Sequence, residues 1–211
     1  MSTLHDRDGQ NAHEREHAHG HTHDHDERRF EMLERAFREL LIEAGFLTEA
    51  ELDERVELMH ARTPALGARV VARAWFDPAF KTRLLADGSA AVRELGIEVA
   101  ALKLVVVENT ATLHNLVVCT LCSCYPRMLL GMAPDWYKSI PYRTRAVREP
   151  RAVLAEFGLH VPQDVTVRVH DSTADMRYLV LPQRPAGSEA LDEAACQALV
   201  TRDGMIGVAA L

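Results

Sequence analysis

From Arg28 onward, apolar residues recur at helical spacing. Phe30, Leu33, Phe37, Leu40, Leu41 and Ala44 fall on one face, and Gly45 suits a stop. Thr48 with Glu51 three positions later forms a capping-box pairing, which predicts a second helix running to about Ala61. Its apolar face (Leu52, Val56, Met59) is sparse. Two such helices joined by Gly45-Phe46-Leu47 have little to bury against each other, so the pattern predicts a partner surface. Asp77-Pro78 reads as the N-cap and first position of a short helix, and Ser89–Leu95 as another, closed by Gly96. Near residue 100 the period changes. Leu102–Val107 and Leu116–Val118 are strand-like, as are Val165–Val169 and Arg177–Leu181, the last bounded by Pro182. Asp135–Phe157 predicts one or two helices interrupted at Pro141, with Glu149-Pro150 opening the last; Leu191–Val200 predicts a final helix. The expectation is an α+β chain: a helical arm over 28–98, then a compact α+β unit over 99–211.

Composition narrows the function classes. The chain has 211 residues, 47% apolar and 26% charged, so disorder along its whole length is excluded. Its formal charge of −7 argues against a nucleic-acid coat or a membrane-surface binder. No apolar run reaches the roughly 20 residues of a membrane span, and the first 25 residues carry no signal-peptide pattern. The expected setting is cytoplasmic, without nucleic acid or membrane as partner. Residues 1–27 are low-complexity and hold seven of the eleven histidines, five of them alternating from His17 to His25. They read as a disordered polar tail, or as a loose collector of divalent cations together with Asp24 and Asp26.

The cysteines carry the chemistry. Three of the four lie within six positions, at Cys119, Cys122 and Cys124, while Cys196 stands alone in a helical pattern. Sulfurs this close gain little from loop closure as disulfides, so metal or redox chemistry is the better reading. A structural zinc site needs four ligands, commonly two pairs, and no second pair exists. His114 could be a fourth ligand, but its spacing fits no common finger. An iron–sulfur cluster also calls for four cysteines. A thioredoxin-type pair would leave Cys124 without a role.

The single residue between Cys122 and Cys124 has a geometric consequence. A metal bound by both sulfurs and by the backbone nitrogens of Ser123 and Cys124 closes one six-membered and two five-membered chelate rings. Cys119, a turn upstream, can add an axial sulfur. That makes five donors and one open position on an octahedral ion. Deprotonated amides need a strongly Lewis-acidic centre, so a trivalent ion fits and zinc does not.

Val118-Cys119-Thr120-Leu121-Cys122-Ser123-Cys124-Tyr125-Pro126 closely resembles the metal-claw motif of nitrile hydratase α subunits. The resemblance continues through Pro134-Asp135-Trp136-Tyr137-Lys138-Ser139, Arg148-Glu149-Pro150-Arg151, Leu154-Ala155-Glu156-Phe157-Gly158, Arg177-Tyr178-Leu179-Val180-Leu181-Pro182 and Val200-Thr201-Arg202-Asp203. It spans most of 30–211, and Thr120 and Tyr125 resemble the cobalt type. It implies a compact layered α/β/β/α metal-binding domain behind the helical arm. It also implies one non-corrin Co(III) held by Cys119, Cys122, Cys124 and the amides of Ser123 and Cys124. Cys122 and Cys124 are then expected as sulfinic and sulfenic acid. The implied reaction is that of a hydro-lyase, hydrating a small-molecule nitrile to its amide. The oxidised sulfur of Cys124, or a water it activates, attacks the nitrile carbon. A β subunit, whole or split into two chains, and a metal-insertion activator protein are the implied partners.

Three anionic sulfurs and two anionic amides around a trivalent ion leave about −2 of charge, which arginines must balance; the resemblance places these on the β subunit. Arg127 departs from the pattern, because nitrile hydratases commonly carry Trp there. An Arg resembles instead the γ subunit of thiocyanate hydrolase, a cobalt relative acting on an anion. Arg127 is therefore a candidate pocket residue, for a larger polar nitrile or for an anion such as thiocyanate (the alternative function), unless it merely faces a partner carboxylate or solvent. Trp136 and Tyr137 are further candidates that either line the substrate or subunit interface or simply pack. Arg143, Arg145 and Arg148 either pair with acids or help balance the claw. Cys196 reads as a small buried hydrophobe. A non-catalytic metal-handling protein is the competing reading; it predicts labile metal and reduced cysteines.

Overall fold

The computed structural model describes residues 28–99, 102–122 and 124–211. The His-rich tail 1–27 and Ser123, including the ligand role expected of its amide, lie outside the described residues. The chain divides into two compact units, Met1–Val56 and Glu57–Leu211.

In the first unit, helix α1 covers 28–43 and Gly45 follows with φ +73°. The capping box forms as expected: Thr48 N–H donates to Glu51 Oε2 (2.8 Å) and Glu51 N–H to Thr48 Oγ1 (3.2 Å), opening α2 (Glu49–His60). The apolar face of α1 finds no cover within this unit: Phe30 stays 68% exposed, Phe37 64% and Leu40 62%.

The second unit begins its core with α3 (Ala65–Phe76), whose Val70, Val71 and Ala72 are fully buried. The sequence pattern singled out no helix there, because Gly67 and two arginines blur the apolar stripe. Gly67 is instead a close-packing position, where a Cβ would come 2.7 Å from the Met205 sulfur and 2.8 Å from Leu130. Helices α4 (Pro78–Ala86) and α5 (Gly88–Glu94) follow at the expected places. Each is capped by an aspartate: Asp77 Oδ1 accepts from Phe80 N–H, and Asp87 Oδ1 from Ala90 N–H.

Strands β1 (Lys103–Glu108) and β2 (Leu113–Val118) come next, then the short helices α6 (Arg127–Leu130) and α7 (Asp135–Lys138). Helices α8 (Ile140–Arg148) and α9 (Pro150–Glu156) precede β3 (Thr166–Asp171) and β4 (Met176–Leu181). The chain closes with α10 (Glu193–Leu199) and α11 (Arg202–Ile206). The break expected at Pro141 falls two residues earlier: Ser139 caps α8 and Pro141 sits in its first turn, where a missing N–H costs nothing.

Two small parallel sheets form the centre: β1 pairs with β4 from Lys103↔Met176 to Glu108↔Leu181, and β2 with β3 from Leu113↔Thr166 to Val118↔Asp171. Helices α4 and α5 pack on β1, while α8 packs on β2 and α9 on β3. The fold is α+β, as expected from the change of period near residue 100. Buried Ser89 ties the helical layer to the sheet, its Oγ accepting from Leu104 N–H (2.8 Å) and donating to the Leu102 carbonyl (3.2 Å). Among the described residues no helix is long and apolar enough to cross a membrane.

Candidate metal centre

Parallel pairing brings the carboxyl ends of β2 and β3 side by side, and the cysteine loop leaves the sheet there. Cys119 directly follows Val118, the last residue of β2, opposite Asp171. Its side chain is buried, whereas Cys122 is exposed and Cys124 half-buried. The three sulfurs lie within 4.8 Å of one another, with Cys119–Cys122 at 3.4 Å and Cys122–Cys124 at 3.1 Å. No His, Asp or Glu joins this group among the described residues. Cys122 N–H points at the Cys119 sulfur, 3.2 Å away.

Neighbouring elements clamp the loop through its main chain. Asp171 accepts from Thr120 N–H (2.9 Å) and from the Thr120 hydroxyl (2.5 Å). Arg143, on α8, donates to the carbonyls of Cys119 (3.1 Å) and Thr120 (2.9 Å). Tyr137 is wholly buried and donates its hydroxyl to the Cys124 carbonyl (2.9 Å), and Tyr142 does the same for Val117 (2.7 Å). Edge-on ring contacts among Tyr125, Tyr137, Trp136 and Phe157 hold these tyrosines in place. Burial pushes the Tyr137 and Tyr142 phenols above their usual range, so both remain hydrogen-bond donors.

The electrostatics fit a highly charged cation. Burial, the Cys122 thiol and the Cys119 sulfur push the Cys124 thiol up to about 12, against the pull of the Arg177 guanidinium. Beside two other sulfurs Cys124 resists charging, and a strongly Lewis-acidic ion reverses that balance by taking it as a thiolate. With three sulfurs and no fourth side-chain donor among the described residues, the set does not complete a tetrahedral zinc site.

Above the loop opens a cavity of about 390 Å³ lined by Cys122, Cys124, Tyr125, Arg127, Arg62 and Arg177, with Glu98 as its acidic member. Of the three candidate pocket residues, Arg127 lines this cavity. Trp136 packs edge-on against Tyr142 and Phe157, and Tyr137 supports Cys124 from the protein side. His114 lies apart from the cysteines, bonded through Nε2 to the Gly207 carbonyl (2.7 Å). Arg145 pairs with Glu149 and Glu156, and Cys196 is buried.

Sequence reasoning assigned no role to Arg62, Glu98, Asp171 or Arg177. The signal available for Asp171 was its place at the carboxyl end of a strand, visible only once the pairing of β3 with β2 is known. Arg62 has no local signal. Its carbonyl abuts Gly131, where φ is +70° and a Cβ would come 2.3 Å from the Arg62 oxygen, so only glycine lets the two segments meet.

Comparison with known proteins gives consistent matches. The family "Nitrile hydratase, alpha chain" matches residues 28–209. The low-molecular weight cobalt-containing nitrile hydratase subunit alpha of Rhodococcus rhodochrous is 51% identical over 176 residues, covering 82% of this chain and 85% of its own. The cobalt-containing subunit alpha of Pseudonocardia thermophila is 50% identical over 177 residues, covering 82% and 87%. Thiocyanate hydrolase subunit gamma of Thiobacillus thioparus is 46% identical over 194 residues, covering 85% and 79%. Among solved structures, a double mutant of the Fe-type nitrile hydratase from Comamonas testosteroni Ni1 superimposes with a TM-score of 0.83 at 45% identity, covering 86% and 90%.

Proposed function

This chain belongs to the nitrile hydratase α-chain family, and we propose that it is the metal-bearing subunit of a cobalt enzyme that adds water to a nitrile to give the amide. The observation that supports this most is the cluster of three sulfurs, two of which (Cys122 and Cys124) line an open cavity, with no fourth side-chain ligand among the described residues. Cys119, Cys122 and Cys124, with the amides of Ser123 and Cys124, would hold Co(III). When bound, the ion supplies Lewis acidity toward the nitrile nitrogen and, by its charge, keeps the three sulfurs anionic.

The remaining work falls to this chain's own residues. Asp171, Arg143 and Tyr137 fix the loop so that Cys122 and Cys124 face the cavity rather than the core. A water oriented by the oxidised sulfur of Cys124 adds its oxygen to the nitrile carbon while both its protons pass to the nitrile nitrogen. Where the Cys124 sulfenate oxygen attacks instead, the S–O bond broken on release of the amide is re-formed with the oxygen of that water, whose protons again end on the amide nitrogen. Positive charge near the oxidised sulfurs comes in part from this chain, through Arg177 beside Cys124, and in part from the β subunit with which the α subunit works. The helical stretch 28–98 carries the partner surface, and the exposed face of α1 supports that reading. A β partner of one or two chains, a metal-insertion activator and a cytoplasmic setting complete the proposal.

The test uses the chain co-expressed with its genomic neighbours. Cobalt should be found near one per chain, with peptide mapping of 119–124 showing about three added oxygens, two on Cys122 and one on Cys124. Cys124→Ala should abolish nitrile hydration. Unmodified cysteines in fully active enzyme, or labile metal with no turnover, would overturn the proposal in favour of a metal-handling protein.

A further inference from the structure

The walls of the cavity above the cysteines carry more positive charge than the protein itself uses. Arg62, Arg127 and Arg177 line it, with Glu98 as the opposing acid. Arg177 is committed to main-chain carbonyls of Thr173, Ala174 and Met176 and lies close enough to Cys124 to pull on its thiol. Arg62 and Arg127 differ. Neither side chain has a hydrogen bond or ion pair among the described residues, and both are exposed at the cavity. They are also held near each other by the main chain. Arg127 opens α6, Gly131 N–H closes that helix onto the Arg127 carbonyl at 3.0 Å, and the Arg62 carbonyl packs against Gly131.

Two unpaired guanidiniums beside one small cavity repel each other and present planar donor forks that match a carboxylate. Resting on the nitrile hydratase reading above, we propose that this cavity selects an anionic nitrile: its C≡N group directed to the cysteine floor and its carboxylate held by Arg127 and Arg62. The competing use of these arginines is to balance the negative claw. That use would favour anionic and neutral substrates alike, whereas carboxylate recognition separates them.

The test takes the cobalt-loaded enzyme assembled with its β partner and compares cyanoacetate with cyanoacetamide, which share shape and differ in charge. The expected result is a kcat/KM at least about tenfold higher for cyanoacetate, the scale of one charge-assisted hydrogen bond, and a preference that shrinks as salt is raised. Arg127→Met should lower the cyanoacetate-to-cyanoacetamide ratio at least about tenfold, and Arg62→Met should lower it in the same direction should the first variant fail to assemble. Propionate, which has no nitrile, should bind the native enzyme by calorimetry and lose that binding in Arg127→Met. Equal loss on both substrates, a native preference for cyanoacetamide, or absent propionate binding overturns this inference and leaves the nitrile reading intact. Turnover of thiocyanate with no hydration of either nitrile overturns both.

Discussion

Tyr137→Phe isolates one of the bonds that hold the cysteine loop. The substitution removes a single hydroxyl from a wholly buried ring and leaves the ring's edge-on partners, Tyr125 at 5.1 Å and Trp136 at 5.9 Å between centroids, in place. What is lost is the 2.9 Å bond from the phenol to the Cys124 carbonyl, together with the donor that satisfied that carbonyl. Cys124 is half-buried, so stripping its carbonyl of this donor costs about 1 kcal/mol, the low end of the range for buried groups. For a chain of this size that becomes a fall in Tm of about 2–4 °C. Because the bond ends on a proposed metal ligand, the same variant should also lose cobalt faster to a chelator. Tyr142→Phe makes a useful contrast, since its bond ends on Val117 inside β2. It should lower Tm similarly and change cobalt retention less. A Tyr137→Phe enzyme melting within about 1 °C of the native one, with native cobalt retention, would refute the claim that this tyrosine fixes the claw.

Gly131→Ala should destabilise the chain by about 2 kcal/mol or more, since it combines a left-handed residue with a backbone clash at the Arg62 carbonyl; urea unfolding with an unchanged midpoint would contradict this. Arg143→Met should loosen the loop at Cys119 and Thr120, lowering cobalt occupancy at limiting metal; full occupancy would argue against it. Burial holds His114 below the ordinary histidine range, so the unfolded chain binds more protons and stability falls as pH drops below about 6.5. His114→Gln should flatten that slope only in part, because burial also holds His170 low; an unaltered slope would exclude His114 as its source.

Much of the metal centre was legible because it is local. The spacing of Cys119, Cys122 and Cys124 dictates which atoms can meet, and the loop brings the three sulfurs together as that spacing required. Aspartate and threonine caps were legible for the same reason. Asp171 was not, because it reaches the loop only through the pairing of β3 with β2, which leaves no trace in spacing. Arg143 stood out as a candidate beside the claw, but its bonds to the Cys119 and Thr120 carbonyls appear only in the fold. Helix α3 escaped notice because its Gly67 serves packing against Met205 and Leu130 rather than a turn. Arg127 was visible as an oddity of the motif; that it shares a cavity with a second unpaired arginine was not.

The central claim is that Cys119, Cys122 and Cys124 bind a trivalent ion together with two main-chain nitrogens. Cobalt K-edge X-ray absorption on the assembled, active enzyme tests it most directly. Three sulfur and two nitrogen donors around low-spin Co(III), with one further light-atom position, is the predicted result. Four-coordinate tetrahedral metal, or a sulfur-only shell without amide nitrogens, would contradict it.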